Sequence, residues 1–497
     1  MENNYFFNMI PKEELEKLPY LPTLVDLLEK TKRDYAERPA VSDMVNTYTY
    51  AEFYERIGKR RALINSLNLP KGSNIAVFDR NTVDAMELFF AITTAGYTVM
   101  MLPAQLPEPA IVGSTMKFNI KAMFVRDEFK PLTAKLQIPV LPTKEMGETF
   151  APCADVKKDD VACIYFTGGT TGAPKGVVLS HGAMMRGSFS GIFMPDSVLR
   201  PHRYIAMLPM SHIFGIVRGF LSCIYTGALI YSCEDIKAML GKIPQIKPTC
   251  LVVVPGMAEI ILGLVKMYGV GFLGGELHTL ICGAANVPPK LIALFQQYGI
   301  SLLGGYGLTE SANLVSGNAN VIDKPESVGK PYPGQELKLV NGELWVKGEN
   351  IMQGYYNDPK ATAEVMEDGW LKTGDLARFD EDGFLYITGR IKNIILLKNG
   401  ENVSPEEIEE HFYMDGRVRD CLVKEVEMNG EMVIGIEILP RMDSFENPDP
   451  ANVHAELQKL VDEVNAKMPS FMHISTMKIR TEDFKRTGAM KVDRKNN

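Results

Sequence analysis

Paired cysteine is the first thing this sequence lacks. The seven cysteines (Cys153, Cys163, Cys223, Cys233, Cys250, Cys282 and Cys421) are odd in number and scattered, and no CxxC pair occurs. Neither a disulfide framework nor a zinc ribbon is expected, and a reducing compartment fits. An excess of positive charge is also missing: 53 Lys and Arg stand against 61 Asp and Glu, a formal charge of −8. That balance does nothing to compensate nucleic-acid phosphates, so no nucleic-acid partner is expected. The opening Met-Glu-Asn-Asn-Tyr-Phe-Phe has neither the basic n-region nor the long apolar core of a signal peptide. Long hydrophobic runs are absent too. The most apolar stretches, 88–103 and 251–273, are broken by Gly, Thr, Glu259 and Lys266, and neither reads as a membrane span. A cytoplasmic protein without a transmembrane segment is the expectation.

What is present is an ordinary globular composition, 46% hydrophobic and 23% charged, sufficient for a full core. With 497 residues, and roughly 150 per domain, more than one domain is expected. Thr49 and Glu52 form a capping-box pair ahead of a helix with Phe53, Ile57, Ile64 and Leu67 on one face. Short apolar runs at Ile75–Phe78, Tyr97–Leu102, Val161–Phe166, Tyr204–Leu208, Leu251–Val254 and Leu280–Cys282 alternate with helical stretches. Such runs predict strands buried on both faces, hence an α/β fold of helix-covered sheets. After about residue 335 the pattern turns to β-hairpins, with Asp380-Glu381-Asp382-Gly383 as one turn. The last hundred residues read as a small α+β unit. A boundary near Gly389–Lys392 gives an N-terminal domain over 1–389 and a C-terminal one over 390–497.

The strongest chemical signal is Tyr165-Phe166-Thr167-Gly168-Gly169-Thr170-Thr171-Gly172-Ala173-Pro174-Lys175-Gly176-Val177. A buried strand enters a loop in which Gly frees backbone N–H groups to face an anion, Thr hydroxyls add donors and Lys175 adds a charge. Such a loop suits a polyphosphate. It is not a Walker A loop, because Pro174 precedes the Lys and Gly176 follows it where Ser or Thr should open a helix.

This loop resembles the phosphate-binding signature of the adenylate-forming superfamily, whose members include acyl-CoA synthetases, luciferases and peptide-synthetase adenylation domains. Gly168, where many members have Ser, is similar to the fatty-acyl branch. Further segments follow in family order to residue 494. Leu208-Pro209-Met210-Ser211-His212-Ile213-Phe214-Gly215 sets one His among bulky apolar residues. Unaided, it is as readily a satisfied core residue as a functional one; the resemblance puts His212 at the carboxylate-substrate pocket. Met207, Met210, Phe214 and Phe220 around it fit an apolar substrate or a plain core.

Small residues end two more runs, at Cys282-Gly283-Ala284-Ala285-Asn286 and Gly304-Gly305-Tyr306-Gly307-Leu308-Thr309-Glu310. The resemblance implies that Gly283, Ala284, Ala285, Tyr306 and Gly307 hold adenine, that Thr309 meets the α-phosphate and that Glu310 helps hold Mg²⁺, a hard cation suited to carboxylate oxygen. The Cys-Gly-Ala-Ala-Asn stretch departs from the commoner Gly-Gly-Ala. Asp375, read as a turn residue in Trp370–Asp375, and Arg390 become ribose binders on the same ground, and Lys392 the hinge. The tail Phe484–Arg494 resembles the closing motif, with Lys491 as the catalytic lysine and Met490 where the family has Gly; Lys485 and Lys495 are the alternatives in another register.

The family implies a two-step ligation. A carboxylate attacks the α-phosphate of Mg·ATP, with pyrophosphate leaving, and a thiol then attacks the acyl-adenylate and expels AMP. Thr167 to Lys175 would hold the β- and γ-phosphates, Glu310 the Mg²⁺, and Lys491 would bridge α-phosphate and carboxylate. A swing about Lys392 would then bring Lys398, Gly400 and Glu401 to line a thiol channel for CoA. The expected function is an acyl-CoA synthetase for a fatty or otherwise apolar acid, with ATP, Mg²⁺ and CoA. An amino-acid activator is disfavoured because residues 208–221 contain no acid. The alternatives are loading of a carrier-protein phosphopantetheine, a luciferase-like oxygenase, and a non-catalytic nucleotide sensor on the same fold.

Overall fold

A computed structural model of the chain describes residues 5–7, 9–167, 175–193, 200–396, 402–428, 431–486, 492–494 and 497. The capping box forms: Thr49 Oγ1 accepts from Glu52 N–H at 3.2 Å and Glu52 Oε2 from Thr49 N–H at 2.8 Å. It opens the helix Tyr50–Ser66, which buries Phe53, Ile57 and Ile64.

The runs Ile75–Phe78, Tyr97–Leu102 and Val161–Phe166 become the middle of a seven-stranded sheet. In spatial order its strands are Gly354–Tyr355, Lys175–Ser180, Val161–Thr167, Thr98–Leu102, Asn74–Phe78, Ile120–Val125 and Val140–Pro142. Asn74–Phe78 lies parallel to both Thr98–Leu102 and Ile120–Val125, and every residue of the first two is buried. This is the both-faces burial that continuous apolar runs demand. The strands on either side of the glycine-rich segment pair antiparallel, with Thr167 opposite Lys175.

A second sheet runs Cys250–Val253, Thr279–Cys282, Ser301–Tyr306, Ser316–Asn318, Lys330–Pro331. Its first three strands are parallel, so the segments after Cys282 and after Tyr306 leave neighbouring carboxyl ends. In open parallel sheets that edge is where ligands bind. A third sheet, of four strands, pairs Pro39–Ser42 with Thr47–Thr49 and Leu229–Tyr231, the last also with Arg203–Ile205. Of the Tyr204–Leu208 run only Tyr204 and Ile205 are strand, within Arg203–Ile205, because Asn81 takes over the next backbone groups: its amide donates to Ala206 O and Leu208 O and accepts from Met210 N–H.

The hairpin region is a sheet of Gln335–Val340, Glu343–Gly348, Met366–Glu367, Trp370–Phe379 and Leu385–Arg390. Residues from Ile395 to Ile474 assemble a separate hydrophobic core, in which the helices Pro405–Tyr413 and Pro450–Asn465 join the antiparallel pair Val418–Met428 and Glu431–Pro440. The large N-terminal part is thus followed by a small α+β unit, as expected for the fold class. All seven cysteines are free. Among the described residues no helix is long and apolar enough to cross a membrane.

Candidate active site

Tyr306 ends the central parallel strand, and its hydroxyl donates to Asp375 Oδ2 at 2.6 Å. Burial and the carboxylate beside it push the phenol pKa well up, so it remains a donor at neutral pH. Asp375 is 1% exposed. It lies inside the strand Trp370–Phe379, not at a turn as its sequence suggests, next to Gly374 at φ 71°. Glu343 holds that bend, accepting from Gly374 N–H at 2.8 Å. Arg390 is the cross-strand partner of Asp375, with Nε 2.7 Å from Oδ1. Among the described residues that oxygen has no further partner beyond this ion pair. Asp375 in turn raises the Arg390 pKa.

At Gly307 a Cβ would fall 1.1 Å from Asn313 O, so only glycine fits. The chain then turns through Thr309–Ser311 and two residues in the left-handed region, Ala312 and Asn313. Glu310 Oε1 accepts from the Tyr355 hydroxyl at 2.8 Å, and Glu310 O from Met352 N–H. The Tyr355 ring lies 4.6 Å from Lys175 Nζ, so one tyrosine joins the end of the hairpin to the Glu310 turn. Gly354–Tyr355 itself pairs with Val178 and Val177.

The histidine segment is brought to the same sheet edge. Tyr165 donates to Met210 O at 3.1 Å, and Phe214 packs over Gly283, where a Cβ would come 3.0 Å from the ring. His212 is half-buried, and its Nδ1 accepts from Phe214 N–H at 3.3 Å, capping the short helix Ile213–Ile216. Met207, Met210, Phe214 and Phe220 are all buried in hydrophobic core. Ala284 takes φ 65°, and Ala285 is exposed. Thr167 and Lys175 are half-buried, whereas Gly168, Gly169, Thr170, Thr171 and Gly172 lie outside the described residues.

Lys392 is exposed in the turn Ile391–Asn393. The C-terminal unit touches the rest beside it and farther off: Ser404 Oγ donates to Thr388 O, Asn286 Nδ2 to Glu410 Oε1 at 2.9 Å, and Arg441 pairs with Glu259. Lys398, Gly400, Glu401 and Lys491 also lie outside the described residues. The flanks of Lys491 are anchored, with Arg486 paired to Asp420 and Arg494 to the buried Glu409. Sequence reasoning missed Tyr355, Glu343 and Glu409, whose roles come from contacts between distant segments.

Residues 28–356 match the model of the AMP-binding enzyme family, and residues 392–497 match that of the AMP-binding enzyme C-terminal domain. This chain belongs to the AMP-binding enzyme family. It is 30% identical over 461 residues to a long-chain-fatty-acid–CoA ligase of Salmonella typhimurium, covering 78% of this chain and 80% of that protein. Against a feruloyl-CoA synthase of Amycolatopsis sp. the identity is 29% over 395 residues, with coverages of 76% and 80%. Among solved structures, an anthranilate CoA ligase in complex with anthranoyl-AMP superposes with a TM-score of 0.84 at 19% identity, covering 96% of this chain and 97% of its own. The fold is that of adenylate-forming enzymes, and the family is that of acyl-CoA ligases. These relatives differ in the acid they are named for.

Proposed function

We propose that this protein is an ATP-dependent acid–thiol ligase that converts a carboxylic acid with an apolar body into its acyl-adenylate and passes the acyl group to CoA. The observation that carries this reading is the Tyr306–Glu310 segment, tied at one end to Asp375 and Arg390 and at the other to Tyr355 and Lys175. A nucleotide has the same polarity, with ribose hydroxyls at one end and phosphates at the other.

Asp375 Oδ1, which has no partner but Arg390 among the described residues, suits a ribose hydroxyl, and Arg390 stands beside it for ribose or phosphate. Tyr306, Gly307, Gly283, Ala284 and Ala285 would bound the adenine. Thr309 would meet the α-phosphate, and the segment from Thr167 to Lys175 the β- and γ-phosphates. Among the described residues no cluster of three acidic, His or Cys side chains stands ready for a metal. A single carboxylate, Glu310, fits Mg²⁺, which is commonly held by one or two carboxylates together with substrate phosphates. Bound there, Mg²⁺ would offset phosphate charge.

His212 would stand at the acid's carboxylate. The chemistry in the first step is positioning and charge neutralisation: the carboxylate attacks the α-phosphorus, the bond to pyrophosphate breaks, and Lys491 steadies both partners. Thiol attack on the acyl carbonyl then expels AMP, after the C-terminal unit turns about Lys392 and brings Lys398, Gly400 and Glu401 to the pantetheine path. The exposed turn at 391–393, after the last paired residue Arg390 and before Ile395 of the separate core, supports a joint there. Arg390 itself sits in the sheet of the first domain, so the proposed divide between 1–389 and 390–497 shifts to this turn.

The test is a panel of carboxylic acids assayed for ATP turnover to AMP and pyrophosphate, with and without CoA. CoA-dependent turnover is expected. Pyrophosphate exchange without a CoA effect would shift the acceptor to a carrier protein, and silence on every acid would overturn the ligase reading in favour of a nucleotide sensor.

A further inference from the structure

Six residues beyond His212 an arginine interrupts a long apolar run. Arg218 lies in a π-helical turn, Val217–Leu221, where Ser222 Oγ donates to Val217 O at 2.8 Å. Such turns are rare and concentrate at functional sites. The side chain is only 4% exposed. Among the described residues no carboxylate pairs with it, and the titratable groups around it are Tyr204, Cys223, Cys250 and Tyr332. Burial raises the Tyr204, Cys223 and Tyr332 pKa values, the last to about 12, so these three carry no negative charge at neutral pH. A guanidinium is always charged, and a buried charge without a counter-ion is among the costliest things a core can hold.

Arg218 lines a cavity with Phe6, Phe193, Ile281, Leu303 and Tyr332. Phe6 stacks on Tyr332 with ring centroids 4.4 Å apart, so one wall is flat and aromatic, while Asn318 adds a polar residue to the lining. Gly317 leaves room for the Tyr332 hydroxyl, which a Cβ there would approach to 2.2 Å. No hydrogen bond within the described residues engages that hydroxyl, and the guanidinium is near enough to work against the burial that raises its pKa. The cavity volume is about 30 Å³. A water needs roughly 10–15 Å³, so the space suits the two oxygens of a carboxylate and not an alkyl tail. Ile281 and Gly304, both in its wall, each precede by two residues a position assigned above to adenine, Gly283 and Tyr306. The cavity thus adjoins the strand ends assigned above to the nucleotide, on the chain segment that also carries His212.

We propose that Arg218, together with the Tyr332 hydroxyl, binds a second carboxylate of the substrate, so that the acid activated is a compact dicarboxylic acid with an apolar body. This rests on the ligase reading and narrows it. Charge-assisted, bidentate recognition of this kind discriminates strongly against an analogue that lacks the anion.

The experiment compares short aliphatic and benzene-ring dicarboxylic acids, each beside its mono-methyl ester, in acid-dependent pyrophosphate exchange. It uses the full chain and the variants Arg218→Met, Arg218→Lys and Tyr332→Phe. At least one diacid should exceed its half-ester in kcat/KM by about 100-fold or more. Arg218→Met should bring that ratio near one, with Arg218→Lys and Tyr332→Phe in between. Half-esters or monoacids turned over as well as diacids would overturn the inference and leave the ligase standing. If no acid supports exchange the ligase reading fails. Calorimetric binding of the same pairs in the presence of AMP then decides the inference by itself, tighter diacid binding lost in Arg218→Met supporting it and equal or absent binding overturning it. Should Arg218→Met not fold, the graded loss in Arg218→Lys and Tyr332→Phe carries the same decision.

Discussion

The Tyr306 hydroxyl donates to one oxygen of Asp375 at 2.6 Å, while Arg390 stands 2.7 Å from the other. Two elements far apart in sequence thus fix a carboxylate that is almost wholly buried. Tyr306→Phe removes the side-chain hydroxyl that donates to it and keeps the ring. Leaving a buried carboxylate short of a partner costs about 1–3 kcal/mol, so a lower Tm is expected, together with a KM for ATP raised by roughly tenfold, the kinetic equivalent of about 1.4 kcal/mol. Thermal unfolding and ATP titration check it; a variant unchanged in both would remove the pair from the nucleotide site.

Glu310 and Tyr355 make a second such pair, at 2.8 Å. If Glu310 faces the metal, Glu310→Gln should lower pyrophosphate exchange by about 100-fold, a typical cost of losing a charge-stabilising group. Tyr355→Phe keeps the carboxylate and loses only its orientation, for which roughly tenfold is expected, with a shifted Mg²⁺ requirement. Mg²⁺ titrations of both variants separate the roles, and a larger loss in Tyr355→Phe than in Glu310→Gln would reverse them.

Sequence reading located these groups unevenly. Strands buried on both faces were legible because continuous apolar runs have one main structural solution, and the capping box at Thr49 was legible because its geometry is local. Asp375 read as a turn residue, and Arg390 gained a role only from the family resemblance. Their pairing depends on the register of the Trp370–Phe379 and Leu385–Arg390 strands, which no local pattern specifies. Tyr355 was invisible for the same reason, since its partners Glu310 and Lys175 lie 45 and 180 residues away. Arg218 did carry a signal, a lone charge inside the run from Ile213 to Tyr225.

Lys491 is flanked by Arg486, held by Asp420, and Arg494, held by Glu409. Lys491→Ala should abolish adenylate formation while largely sparing thioester formation from supplied acyl-adenylate. Arg494→Ala, which frees the anchor and keeps the lysine, should lower the first step by less than Lys491→Ala does. Half-reaction assays with purified acyl-adenylate make the comparison. Equal loss of both steps in Lys491→Ala would remove it from the adenylation role.

Lys392 occupies the exposed turn that joins the two cores. Proline fixes φ near −65° and removes the N–H, so Lys392→Pro should hamper thioester formation more than adenylation. Single-turnover measurement of each half-reaction tests it. Unimpaired thioester formation would mean that the swivel lies elsewhere.

His181 supplies a pH signature independent of the chemistry. It is 1% exposed, and its Nδ1 accepts from Leu24 N–H at 3.3 Å, tying the Leu24–Tyr35 helix to the His181–Ser190 helix. Burial lowers its pKa from 6.5 to about 4. The folded state therefore keeps the imidazole neutral where the unfolded chain has already taken up a proton. The stabilisation is complete above pH 6.5 and is lost as the pH falls toward 4. His181→Gln can retain an acceptor for Leu24 without titrating, so its Tm should fall less steeply than that of the wild type between those two pH values, even if it starts lower at neutral pH. Parallel slopes for the two proteins would show that His181 is already protonated in the fold, and that another group sets the acid limit.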